Sequence, residues 1–106
     1  KEKGRRTLAD ELDTVPLTLP ALMRAQKLQK RAAGRGLGTQ DAAQAAQELA
    51  QAEQAWAEAT PENAQECAGA LLFAAADSLR LAGVDAEEAL SAASRRFSEK
   101  LKQENQ

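Results

Sequence analysis

The side chains able to carry chemistry in this chain are few in kind. It has sixteen Asp and Glu, fourteen Lys and Arg and one cysteine, Cys67, with no His and no Tyr. Without imidazole, Ser-His, Cys-His and two-His zinc mechanisms all fall away. Any reaction must run on carboxylates, Lys, Arg or a metal. Two antiparallel helices joined by a short loop are the natural place for it, because they can face acidic residues at similar heights. Acids at i, i+1 and i+4 of one helix, opposite a pair three apart on the next, make a hard oxygen cage for Mg²⁺ that holds phosphates and activates water.

Other chemically suggestive residues have blander readings. The run Gly34-Arg35-Gly36-Leu37-Gly38 lacks the Gly-Lys-Ser/Thr that opens the helix of a phosphate loop, and reads as a helix stop and turn. Cys67 has no predicted base nearby and reads as a small buried hydrophobe. Trp56, on a helix seam, reads as a core or interface anchor rather than a stacking platform for a base.

The elements that must position these residues are helices. Residues 1–18 mix charges without a sustained period and form an arm or interdomain linker, leaving 19–103 as the domain and 104–106 as a tail. Pro20 opens a first helix, about 20–33, that the Gly34–Gly36 turn stops. Arg24, Lys27, Arg31 and Arg35 share one sector of it, opposite Leu22, Ala25, Gln29 and Ala32. Thr39 caps a second helix, about 40–59, with a seam of Ala42, Ala45, Ala46, Leu49, Ala52, Trp56 and Ala59. Thr60-Pro61-Glu62 starts a third, running to about Ala82, whose middle is apolar almost all round and ends at a left-handed Gly83. Asp85-Ala86-Glu87-Glu88 has the form of a capping box for a fourth, with Ala89, Leu90, Ala93, Phe97 and Leu101 on its seam. The expectation is an all-α bundle of about four helices.

Composition adds bounds. A chain of 106 residues is one domain. Its net charge of −2 gives no strong field towards nucleic acid or anionic membrane, and neither is expected as a partner. One thiol, a mean hydropathy of −0.52 and the lack of a basic-then-apolar leader in these residues point to the cytoplasm. With 25 Ala and 3% aromatic residues, the interior is thin. The bundle is therefore expected to be completed by oligomerisation, as a homodimer or larger homo-oligomer.

Three separate segments resemble one family. Val15-Pro16-Leu17-Thr18-Leu19-Pro20-Ala21-Leu22-Met23-Arg24-Ala25-Gln26-Lys27-Leu28-Gln29-Lys30-Arg31-Ala32-Ala33 resembles the opening of the second, C-terminal MazG domain of bacterial MazG proteins, which are nucleoside triphosphate pyrophosphohydrolases. Gly69-Ala70-Leu71-Leu72-Phe73-Ala74 is similar to that family's Gly-Asp-Leu-Leu-Phe-Ala. Gly83-Val84-Asp85-Ala86-Glu87-Glu88-Ala89-Leu90 and Ser94-Arg95-Arg96-Phe97 are similar to its Gly-Ile-Asp-Pro-Glu-Glu-Ala-Leu and Asn-Arg-Lys-Phe. The likeness covers about 15–103, in order.

The resemblance implies an oligomeric all-helical fold and Mg²⁺-dependent cleavage of a nucleoside triphosphate to the monophosphate and pyrophosphate. It also places the metal motifs, Glu-Glu-x-x-Glu and Glu-x-x-Asp. The first falls on Gln47-Glu48-Leu49-Ala50-Gln51 and the second on Cys67-Ala68-Gly69-Ala70, so of five acidic positions only Glu48 remains. Gln offers a neutral carbonyl, Cys a soft sulfur and Ala nothing, and Mg²⁺ is not expected to be held tightly. Glu66 is no substitute, since one residue along a helix is a rotation of about 100°. By the same likeness Lys27 and Arg96 are candidates to touch phosphate, and Asp77 to sit near a base. Their plainer readings are a solvated helix face for the two cations and a polar helix contact for the acid. The expected function is a MazG-like domain that has lost catalysis and serves as a structural, oligomerising or nucleotide-sensing module, with a nucleoside triphosphate or a second MazG domain as partners. The alternatives are an active Mg²⁺-dependent hydrolase with a rearranged site that uses Glu48 and Glu66, and a helical bundle unrelated to nucleotides.

Overall fold

A computed structural model describes residues 7–106. These form five helices and no strand: α1 (Leu8–Asp13), α2 (Ala21–Ala33), α3 (Ala42–Ala57), α4 (Ala64–Leu81) and α5 (Ala86–Glu104). The last four correspond to the four helices read from periodicity. The first lies within the segment expected to be an arm, whose residues 1–6 are outside the described part. It has a reciprocal cap, the Asp10 amide donating to Thr7 Oγ1 and the Thr7 amide to the Asp10 carboxylate. Its far end is tied to α2 and the turn after it: Arg31 Nε of α2 donates to Thr14 Oγ1 at 3.3 Å, and Arg35 Nε of the turn to Glu11 Oε1 at 2.8 Å. The hydrogen bond to Glu11 holds the Arg35 guanidinium above its ordinary pKa.

The helix stops follow from glycine. Gly36 and Gly83 have φ of +73° and +77°, a left-handed conformation that costs glycine little. In each case the next amide reaches back to close a Schellman turn: Leu37 N–H to Ala32 C=O at 3.0 Å and Val84 N–H to Leu79 C=O at 2.9 Å. Two helix starts differ from expectation. Asp41, not Thr39, caps α3 by accepting from the Gln44 amide at 2.8 Å. Thr60 does not start α4; residues 61–63 make a turn, held by the Thr60 amide donating to Asn63 Oδ1, and the helix begins at Ala64. Asp85 caps α5 as its spacing predicts, accepting from the Glu88 amide at 2.9 Å.

The α3–α4 hairpin is the most extensive packing in the molecule, and α2 lies against α4. The chain then turns through 107° from α4 into α5. Gln26 of α2 holds that corner. Its Nε2 donates to the carbonyls of Ala76 (2.9 Å) and Val84 (3.0 Å), and its Oε1 accepts from the Ala86 amide at 3.0 Å. The Ala86 amide belongs to the first turn of α5, where no intrahelical acceptor exists, and Ala76 and Ala86 are both buried. Replacing Gln26 by leucine removes all three hydrogen bonds and orphans the Ala86 amide, whereas the Ala76 carbonyl keeps its partner within α4. Gln26→Leu is expected to lower unfolding free energy by about 2–4 kcal/mol, measured by urea denaturation at fixed protein concentration.

The core is thin. Among the described residues the buried apolar ones are Val15, Ala45, Ala76 and Ala86, and no large side chain is completely enclosed. By contrast Leu72 is 60% exposed, Phe73 48%, Leu90 55% and Phe97 66%; Trp56 and Leu101 are also open. The apolar middle of α4 predicts burial on more than one face, inside a bundle or across an oligomer contact; within the chain α4 packs on α2, α3 and α5 and still leaves Leu72 and Phe73 open. Among the described residues no single helix is long and apolar enough to cross a membrane.

Candidate functional site

A cavity of about 430 Å³ opens between α1, α2, α3 and α4. Each element contributes through its sequence period. Gln29 of α2 turns towards α4, where its Nε2 donates to the Phe73 carbonyl at 3.0 Å. Glu48 comes from the face of α3 that meets the loop after α2. Ala70, Phe73, Ala74 and Asp77 follow the i, i+3, i+4, i+7 spacing that puts residues on one side of α4. Leu12 of α1, Leu28 and Ala32 complete the apolar wall.

The polar groups fall into two sets. Asp77 is buried and accepts from Arg80 Nε at 2.7 Å, while Arg80 Nη2 donates to the Thr39 carbonyl at 2.9 Å. This pair balances its own charge and ties the loop to α4. Glu48 differs: Oε1 accepts from Thr39 Oγ1 at 2.5 Å and Oε2 from Gln44 Nε2 at 3.1 Å, both neutral donors. Among the described residues no cation pairs with it. Thr39 thus spends its hydroxyl on Glu48, which is why it is buried instead of capping α3.

The Asp77–Arg80 pair has a consequence for stability. Both side chains are largely buried, 9% and 15% exposed, and removing the cation strands a carboxylate in a poorly solvated place. Arg80→Met is expected to cost about 3–5 kcal/mol. The double variant Arg80→Met, Asp77→Ala should recover a large part of the loss, and a thermodynamic cycle of thermal or urea unfolding measures it.

Of the residues singled out in the sequence, the cavity brings together Glu48, Ala70 and Asp77. Gln47 and Gln51 are exposed on α3, and Cys67 is half-buried on α4, one turn from Ala70; none of the three lines the cavity. Lys27 is exposed on α2 at a separate cavity of about 240 Å³, which Lys30 and Arg80 share. Arg96 is exposed on α5. Among the described residues no three of Asp, Glu, Cys and His are grouped to hold a metal ion. Three contributors were not anticipated: Leu12, Thr39 and Arg80. The Thr7-Leu8-Ala9-Asp10 spacing is the signal that could have placed Leu12 on a helix. Nothing local marks the other two.

Against known proteins, the chain matches no protein-family model and no curated protein.

Proposed function

We propose that this chain is a MazG-like helical module that associates with a second copy of itself and does not hydrolyse nucleotides. The observation that carries the proposal is the set of large apolar side chains left open, Leu72, Phe73, Leu90 and Phe97 among them. A monomer of this mass has a total accessible surface of about 5,700 Å² by the usual scaling, whereas this chain exposes 7,901 Å², polar and apolar together. The excess, about 2,200 Å², is in the range that an obligate partner covers. The radius of gyration is 17.0 Å, where about 13 Å is usual for this length. Leu72 and Leu90 border two adjoining apolar cavities of about 320 Å³ each between α2, α4 and α5, and Phe97 and Leu101 continue the stripe along α5. Contiguous surface of this kind rarely stays in water.

The absence of turnover is supported by the composition of the site. Mg²⁺ is satisfied by anionic oxygen in octahedral array, and Ala70 stands beside Glu48 in the cavity with no oxygen to offer. The test is pyrophosphate release from the four common ribonucleoside triphosphates with Mg²⁺ or Mn²⁺, on protein collected from a sizing column. Release no greater than that of a no-protein control is the expected result. Release that scales with protein concentration would establish the rearranged-site hydrolase instead.

A further inference from the structure

We propose that the cavity between α2, α3 and α4 binds a small organic monocation with a flat apolar body, its N–H groups directed at Glu48. This inference does not depend on self-association. The volume, about 430 Å³, is within the range of small-molecule sites. Most of the wall is apolar, from Leu12, Leu28, Ala70, Phe73 and Ala74.

Charge selects the ligand class. Arg80 is committed to Asp77 and to the Thr39 carbonyl, so that pair contributes no net charge. The Glu48 carboxylate is met only by the hydroxyl of Thr39 and the amide of Gln44, both neutral donors. Gln29, 6% exposed, adds no cation to the wall, its Nε2 being pinned to the Phe73 carbonyl. An uncompensated carboxylate beside an apolar floor matches a donor-rich cation such as an aryl amidinium or guanidinium. Phosphate would meet no free cation there. A dehydrated divalent ion would meet Glu48, an Asp77 already paired with Arg80, and hydrocarbon. A neutral hydrocarbon would cover the half-buried Glu48 without supplying a counter-charge.

Benzamidinium and benzamide are close in size and shape but differ in charge, and they form the test pair. The ¹⁵N-labelled chain is titrated with each at constant ionic strength, following the side-chain amide of Gln29 and the backbone amides of Thr39, Glu48 and Ala74. Saturable shifts with benzamidinium are expected, with benzamide at least about tenfold weaker. Glu48→Gln keeps the acceptor for Thr39 and should bring benzamidinium down to the benzamide level. Equal affinity for the two molecules, or no saturable shift with benzamidinium past millimolar concentration, would overturn the proposal. So would equal benzamidinium affinity in a folded Glu48→Gln chain. The readings on wild-type protein stand even where that variant does not fold.

Discussion

Leu72→Glu is expected to leave the chain helical and monomeric. Leu72 is 60% exposed on α4 and borders both apolar cavities with Leu22 and Leu90, so within one chain its side chain supports little packing. Far-ultraviolet circular dichroism of the variant should be close to that of the wild type. Across a symmetric interface each substitution counts twice. Losing a buried Leu forfeits about 2 kcal/mol, and placing a carboxylate in the same apolar contact costs more. The dissociation constant for self-association should rise by at least about a hundredfold, read by light scattering on a sizing column. Leu72→Met, of similar volume and still apolar, should change it by less than about tenfold.

Placing acids at the positions that the MazG resemblance assigns to the metal should have the opposite character, creating a property where the present residues disfavour it. The combined variant Gln47→Glu, Gln51→Glu, Cys67→Glu and Ala70→Asp adds four carboxylates to α3 and α4 around Glu48. Ala70 is the telling position, since it already shares the cavity with Glu48 and Asp77. A carboxylate there supplies a second hard ligand within the same space. Mg²⁺ affinity is expected to rise by at least about a hundredfold, because Ala70→Asp adds a coordinating oxygen beside Glu48 and the other three carboxylates add negative charge close by. The crowded acids should repel one another without the ion, so the variant should be less stable than wild type in chelator. Mg²⁺ should raise its melting temperature, as ligand binding to the folded state requires. Equal Mg²⁺ affinity in the two proteins, by calorimetric titration, would contradict the assignment of these positions.

The helices themselves were legible because their signals are local. Gly83 followed by Asp85 marks the α4–α5 corner: the left-handed residue and the N-cap each act within one turn. The starts of α3 and α4 were harder for the same physical reason in reverse. Thr39 is a good cap in isolation, but tertiary structure offers its hydroxyl the Glu48 carboxylate, and Asp41 takes over the cap. At Thr60 the Asn63 side chain closes a turn first, delaying the helix to Ala64. In α1, closely spaced Lys and Arg ahead of a six-residue helix obscured its capping box, and with it the Leu12 wall of the cavity.

The candidate site was legible only in part. The spacing on α4 fixes that Ala70 and Asp77 share a face, and that much is periodicity. That Glu48 would face them across the hairpin, while Lys27 and Arg96 would not join them, depends on how α2, α3 and α5 are set against α4. Residues 44, 48 and 39 are brought together by hydrogen bonds, and Arg80 is tied to Thr39 across 41 positions of sequence. Contacts of that length have no local signature. The open apolar stripe is likewise invisible to periodicity, which marks Leu72, Leu90 and Phe97 as a seam without saying whose surface covers it.

Sedimentation equilibrium of the unmodified chain over a wide concentration range is the most direct measurement of whether a second copy covers that stripe. The expected result is a mass of twice 11.3 kDa, or a larger whole multiple, persisting at micromolar concentration. A mass of 11.3 kDa throughout, up to several hundred micromolar, would contradict the account.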